Sequence, residues 1–250
     1  MTGTLYDTIG ATYGRYRRPD PRIQAAIDRA IGDTRTVVNV GAGAGSYEPR
    51  GPLVLAVEPS RTMIAQRSAG SAPVVQAVAE SLPFRDRTFD AALAMLTTHH
   101  WPDVRAGLVE MARVSRRQVF FTHTGASFDD FWLVRDYVPQ IATHFGDMRF
   151  LPPIMDMLAI VEIIDVPLPW DCIDGFLCAY WRRPEMYLDP DARAAISGFA
   201  ILGDAITAPA VDRLAADIES GAWDARYGHL HELDALDLGY RIVVADGLRR

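Results

Sequence analysis

Three stretches of this 250-residue sequence combine residue types that could do chemistry. The first is Gly41-Ala42-Gly43-Ala44-Gly45-Ser46. Glycine lets a backbone turn sharply and lets a ligand come close, because no Cβ stands in the way. The run Leu53-Val54-Leu55-Ala56-Val57 follows and ends in the acid Glu58. An acid there is placed to hold the two hydroxyls of a ribose, so turn and acid together point to a nucleoside-containing cofactor. The second stretch is His99-His100. Histidine titrates near neutral pH and can take a proton from a nucleophile. The third is Pro169-Trp170-Asp171-Cys172-Ile173-Asp174-Gly175-Phe176 with Tyr180-Trp181-Arg182-Arg183. Mixed aromatic and charged groups suit a pocket with a few polar anchors, and equally a salt-bridged cap packed on the core.

Glycine spacing separates two cofactor classes. Dinucleotide folds use Gly-x-Gly-x-x-Gly, with the last glycine inside the following helix. Here the spacing is Gly41-x-Gly43-x-Gly45, and Ser46 stands where that last glycine would fall. This disfavours a nicotinamide oxidoreductase. No paired carboxylates, His/Cys cluster or Ser/His/Asp order suggests a metal or hydrolytic centre.

The elements that must position these residues alternate in type. Asp20-Pro21 opens a helix with a capping side chain and a proline in its first turn. Ile23, Ile27 and Ile31 share one face of that helix, and Gly32 can close it. Thr36 to Val40 and Leu53 to Val57 read as strands, as do 74–78, 89–96 and 118–122. A helix from Pro59-Ser60 carries Met63, Ile64 and Arg67 and can end at Gly70. Another follows Trp101-Pro102-Asp103, with Val104, Leu108 and Met111 on one side. Short, continuously apolar strands between amphipathic helices are the pattern of a parallel sheet covered on both faces. Ligands of such folds bind outside the carboxyl ends of the strands.

The second half reads differently. Ser127-Phe128-Asp129-Asp130 is a capping box that starts an aromatic helix, which Pro139 kinks or ends. Val161 to Val166 returns as a strand. The excursion from Trp170 to about Asp237 is too long for a plain connection and reads as a helical cap. It holds helices from Asp189-Pro190 and from Pro209 to Ser220. Tyr240 to Ala245 is the last strand. Residues 1–35 then form a lead-in over the cofactor site, 36–124 the cofactor-binding core, and 125–250 the cap insertions with the last two core strands.

Composition bounds the partners. Hydrophobic residues make up 49% and the net charge is −7, which fits one elaborated domain and argues against nucleic acid as the main partner. The N-terminus has no basic start or apolar run, and no segment approaches the roughly 20 apolar residues of a membrane span. With only Cys172 and Cys178, there is no disulfide framework. Together these give the expectation of a cytoplasmic protein with reduced thiols and no membrane partner.

Four segments in order, between Thr36 and His123, resemble the class I S-adenosylmethionine-dependent methyltransferases of the type 11 small-molecule group. Val38-Asn39-Val40-Gly41-Ala42-Gly43-Ala44-Gly45 is similar to the segment that wraps the methionine part of the cofactor. Val57-Glu58-Pro59-Ser60-Arg61-Thr62-Met63 is similar to the segment whose acid holds the ribose. Ala79-Glu80-Ser81-Leu82-Pro83-Phe84 is similar to the adenine-side segment. Leu96-Thr97-Thr98-His99-His100-Trp101 is similar to the one beside the reacting methyl.

The resemblance implies a Rossmann-like, doubly wound, mostly parallel seven-stranded sheet with a helical cap. It implies S-adenosyl-L-methionine as cofactor, S-adenosyl-L-homocysteine as product and a small-molecule methyl acceptor. Gly41, Ala42, Gly43, Glu58, Pro59, Ser60, Met63, Ala79, Glu80, Leu96 and Thr97 are then cofactor contacts. Relatives fold a tyrosine and an arginine of the lead-in over the cofactor carboxylate, which makes Tyr13 and Arg17 or Arg18 the candidates. An arginine suits this because its planar fork pairs with carboxylate oxygens. His99 and His100 are candidate bases. Trp101, Trp170, Asp171, Asp174 and Tyr180 are expected against the acceptor. Three features depart from the pattern. Ser115-Arg116-Arg117-Gln118 stands in place of the usual proline-glycine-glycine turn before the fifth strand. Val78 replaces an acid that often bonds adenine, and Asn39 replaces an Asp or Gly, where it could brace the glycine turn. A cofactor-binding protein that transfers nothing, acting as a sensor or assembly partner, is the alternative.

Overall fold

The computed structural model describes residues 13–125, 130–146 and 151–249. Helix α1 (Tyr13–Tyr16) leads into α2 (Pro21–Ile31). Asp20 caps α2 by accepting from the Arg22 N–H at 3.0 Å, and Gly32 closes it at φ 67°. Ile23, Ile27 and Ile31 are all buried, as their spacing requires.

Strands β1 (Thr36–Val40), β2 (Leu53–Val57), β3 (Val74–Val75), β4 (Phe89–Met95) and β5 (Ser115–His123) pair in parallel. With β6 (Leu158–Asp165) and β9 (Tyr240–Leu248) they form a seven-stranded sheet in the order β3-β2-β1-β4-β5-β9-β6. β9 runs antiparallel to both its neighbours. This is the expected doubly wound sheet, with the glycine turn at the carboxyl end of β1, beside the point where the strand order reverses. Strands β7 (Leu168–Pro169) and β8 (Ala235–Leu236) make a separate ribbon at the two ends of the cap excursion.

Successive strand residues face opposite layers. Val37, Leu93, Phe121 and Ile242 pack with α2 and the cap. Val38, Ala94, Phe120 and Val243 pack with α4 (Val104–Val114) and α6 (Pro152–Met157) on the other face. Helix α3 (Arg61–Ala65) follows β2, and α5 (Gln140–Gly146) follows a π-turn over Leu133–Tyr137. The cap holds α7 (Pro190–Ala194), α8 (Ser197–Leu202), α9 (Asp204–Glu219) and α10 (Ala222–Tyr227). Its aromatic centre sets Trp132 edge-on to Trp223 and Tyr187, at centroid distances of 5.3 and 5.7 Å. One apolar cluster runs from the lead-in residue Tyr16 through the sheet to Trp181, Tyr187 and Trp223.

Several boundaries move, each for a local reason. β3 stops at Val75 because its partner β2 ends at Val57, the residue paired with it. β4 stops at Met95 because Leu96 turns left-handed, at φ 50°. α3 ends at Ala65, well before Gly70. β5 is longer than expected, since β4 and β9 supply partners at Ser115 and His123. α9 starts at Asp204 after Gly203 at φ 72°, and carries Pro209 inside instead of at its start. Thr207 Oγ1 donates to the Gly203 carbonyl at 3.0 Å in that first turn. Of the expected capping box Ser127-Phe128-Asp129-Asp130, the first three residues lie outside the described residues.

Candidate active site

The glycine turn is built by backbone and neighbours together. The Gly41 and Ala42 N–H groups both donate to the Val57 carbonyl, at 2.9 and 3.0 Å. Gly41 sits at φ 69°, and a Cβ there would stand 2.1 Å from Thr97 Oγ1. Glycine is therefore required on two counts: the left-handed backbone and the close approach of the segment after β4. Gly43, at φ 53°, donates its N–H to Glu58 Oε2 at 2.8 Å. Glu58 Oε1 accepts the Ser60 N–H at 2.9 Å. The carboxylate is fixed at both oxygens and still has lone pairs, which suits a diol. Burial pushes the Glu58 carboxyl up, while the Ser60 and Gly43 N–H groups and the Arg67 charge pull it down.

Asn39 behaves differently from the expectation that it braces the turn. It is 1% exposed, and among the described residues neither its Oδ1 nor its Nδ2 has a hydrogen-bond partner. Both atoms are buried in a side chain that lines the cavity. Leaving such a group unsatisfied costs its full desolvation, about 1–3 kcal/mol. The brace is Arg67, whose guanidinium donates to the Gly43 carbonyl at 3.1 Å and pairs with Glu48. Glu48 in turn accepts the Ala72 N–H at 2.8 Å.

A cavity of about 230 Å³ gathers these groups. Gly41, Ala42, Gly43, Glu58, Pro59, Ser60, Met63, Ala79, Glu80, Leu96 and Thr97 all line it, as do Arg17, His99, His100 and Trp101. Only the backbone of Tyr13 is described; its side chain lies outside the described residues. Glu80 Oε1 accepts the Asp103 N–H at 3.1 Å, which ties the adenine-side segment to the start of α4. Asp103 caps that helix through the Ala106 N–H at 3.0 Å.

His99 and His100 lie on a single 3₁₀ turn over Thr98–His100, with ring centroids 3.8 Å apart. Burial, then His100 and the positive Arg17, hold His99 well below the ordinary histidine range. Burial and Arg17 bring His100 down to about 4. Both rings are therefore neutral at pH 7, each with one donor and one acceptor nitrogen. His123, also in the wall, donates from Nε2 to the Leu238 carbonyl at 2.7 Å and accepts the Gly125 N–H at Nδ1 at 2.8 Å. The backbone donor fixes its tautomer, so both nitrogens serve the fold.

The residues expected against the acceptor differ most from expectation. Trp101 lines the cavity, but its ring is held on α4, where a Cβ at Gly107 would come within 2.4 Å of it. Trp170, Asp171, Asp174 and Tyr180 do not line the cavity. Trp170 is 41% exposed and stacks with Arg182, whose Cζ is 4.9 Å from the ring centre. Asp171 pairs with Arg22 at 2.7 Å on the surface. Asp174 is fully buried against Arg17. Tyr180 lines a second cavity with Arg15, Arg18 and Arg183. For three of them the reason is the lead-in: Arg22 pairs with Asp171, Arg17 pairs with Asp174, and Arg15 and Arg18 share the second cavity with Tyr180, whereas Trp170 lies outside on Arg182. Phe176, Leu177, Gly198, Thr122 and Tyr240 take their place in the wall. They come from four distant segments, and no spacing in the sequence links them.

These residues fit S-adenosylmethionine. Glu58 offers acceptors for a ribose, and the orphaned Asn39 amide offers a donor and an acceptor beside the glycine turn. No helix among the described residues is long and apolar enough to cross a membrane.

Comparisons with known proteins agree with this geometry. Residues 38–122 match the family model described as a methyltransferase domain. The chain is 30% identical to the solved structure of a putative methyltransferase from an antibiotic biosynthesis pathway of Anabaena variabilis. That match covers 92% of this chain and 99% of the other, with a TM-score of 0.80. It is 32% identical over 124 residues to demethylmenaquinone methyltransferase of Corynebacterium urealyticum, covering 45% of this chain and 54% of that protein. An uncharacterized methyltransferase of Bacillus subtilis is 29% identical over 115 residues, covering 42% of each chain. The chain thus spans about half the length of the curated relatives it matches. The sheet, the cavity at its reversal point and the full-length likeness lead to one assignment: the chain belongs to the class I S-adenosylmethionine-dependent methyltransferases, in the type 11 group.

Proposed function

We propose that the protein moves the methyl group of S-adenosylmethionine to an oxygen, nitrogen or carbon nucleophile of a small molecule. One observation carries this reading. The cavity of the glycine turn and Glu58 is continuous with a wall of Phe176, Leu177, Gly198 and Tyr240 contributed by the cap and β9. A protein that only sensed the cofactor would not need that second wall, so the sensor reading is the weaker one.

In this reading Glu58 takes the ribose hydroxyls, and Asn39 and Arg17 take the amino-acid end. Met63, Ala79 and Glu80 flank the base. The cofactor, when bound, supplies a methyl group on a sulfonium, an already reactive donor. The remaining work falls to positioning and exclusion of water. His99 and His100 can accept a hydrogen bond from an acceptor hydroxyl or amine. Their burial makes a retained proton costly, so they orient a nucleophile better than they store its proton. A small apolar acceptor suits the aromatic wall, and the cytoplasm is the proposed site of action.

The test is transfer from methyl-labelled S-adenosylmethionine to fractionated small-molecule extracts. Label in a low-mass product with matching S-adenosylhomocysteine is the expected result. Label only in protein or nucleic acid, or cofactor binding with no transfer to any fraction, would overturn the proposal.

A further inference from the structure

Asp174 is a fully buried carboxylate held by two other parts of the chain. Arg17 Nε lies 2.6 Å from its Oδ1, and the Tyr47 hydroxyl donates to its Oδ2 at 3.0 Å. The backbone closes around the same point. Gly175 N–H donates to the Tyr16 carbonyl at 2.7 Å, and Ile173 N–H donates to Asp20 Oδ2 at 3.2 Å. The Asp20 N–H reaches back to the Tyr47 hydroxyl at 3.3 Å. Lead-in, glycine turn and cap segment therefore meet at one carboxylate.

Arg17 and Tyr47 both line the cofactor cavity, whereas Asp174 stands behind them. Tyr47 follows the glycine turn directly and is itself left-handed, at φ 58°. A buried ion pair repays its desolvation poorly and is weak as a device for stability alone. What it does well is fix direction. A guanidinium gripped at Nε has the orientation of its fork set by the grip.

We propose that Asp174 is a positioning residue for cofactor binding. It holds Arg17 in the cavity wall where the carboxylate of the cofactor is read, and through Tyr47 it links that grip to the end of the glycine turn. The inference rests on the reading of Arg17 as a contact to the amino-acid end of the cofactor.

Two ligands separate this from a general structural role. S-adenosylhomocysteine carries the amino-acid group; 5′-methylthioadenosine lacks it. Calorimetric titration of the full chain and of Asp174→Asn is expected to show at least tenfold weaker binding of S-adenosylhomocysteine in the variant. Binding of methylthioadenosine should stay within twofold. Arg17→Gln should give the same pattern, and the double variant should be no weaker than either single one, because the two act through one contact. Equal weakening of both ligands, additive losses, or unchanged S-adenosylhomocysteine affinity in Asp174→Asn would each overturn the proposal. Should Asp174→Asn fail to fold, Tyr47→Phe keeps the ion pair and tests the link to the turn. A severalfold loss confined to S-adenosylhomocysteine supports the proposal, and no loss overturns it. A parent chain that fails to bind S-adenosylhomocysteine would instead overturn the methyltransferase reading.

Discussion

Glu58 carries its charge in a setting that resists it. Burial raises its pKa, and two backbone N–H groups with Arg67 offset that cost. Its oxygens are thereby aimed while lone pairs stay available. Glu58→Gln replaces one acceptor by a donor, and calorimetry should show S-adenosylhomocysteine binding weakened at least tenfold. Unchanged affinity would remove Glu58 from the site. The histidines make a second prediction at this scale. His100 and His123 sit at about 4 in the fold, below the unfolded value of roughly 6.5. Between those values the unfolded chain binds more protons, so stability rises with pH across the window and is lost as pH falls from 6.5 toward 4. Thermal midpoints should hold steady above pH 7 and drop progressively below 6.5. His100→Phe should remove up to one proton from that dependence; an unaltered slope would show that His100 is not held neutral. Asn39, whose polar atoms have no partner among the described residues, shows the limit of residue-level reading. Its type in a strand marked it as unusual, but only the packed turn shows that Arg67 does the bracing while the Asn39 side chain lines the cavity.

Among the elements, the glycine turn and the segment after β4 fit each other through a contact with no room for a methyl group. Gly41→Ala would place Cβ against Thr97 and force a left-handed alanine. Scanning calorimetry should show the thermal midpoint lowered by several degrees, at about 2–4 °C per kcal/mol for a chain of this size. Gly41→Ala/Thr97→Ala should recover part of the loss by relieving the clash but not the backbone strain. No recovery would mean that the contact is not the cause. The capped helices were legible in the sequence because caps are local chemistry: Asp20, Ser60, Asp103 and Asp189 each accept from an N–H of their own first turn. Strand ends were less legible because they depend on the partner. β3 ends where β2 does, and β5 lengthens because β4 and β9 are there to pair with it.

For the whole molecule, the continuous apolar cluster from Tyr16 through the sheet to Trp223 argues that cap and core unfold together. Tryptophan fluorescence of a Trp101→Phe variant reports mainly the cap through Trp132, Trp181 and Trp223, and far-ultraviolet dichroism reports the secondary structure of the whole fold. The two thermal transitions should coincide, and S-adenosylhomocysteine should raise both equally by mass action. Separate midpoints would mean that the cap folds independently.

The sequence by itself determined the layer architecture, the succession of the first five strands along the chain and the glycine turn after the first of them. These follow from hydrophobic period, capping residues and glycine spacing, all of which act within a few residues of the chain. Tertiary structure alone decided the rest of the cavity wall. Trp170, Asp171, Asp174 and Tyr180 carry the composition of a pocket, yet the lead-in engages Asp171 through Arg22 and Asp174 through Arg17, and Trp170 faces outward on Arg182. The wall is made instead by Thr122, Phe176, Leu177, Gly198 and Tyr240, brought together by the antiparallel last strand and the cap. Contacts between residues so far apart in the chain leave no local pattern, because they are selected by the packing of whole elements.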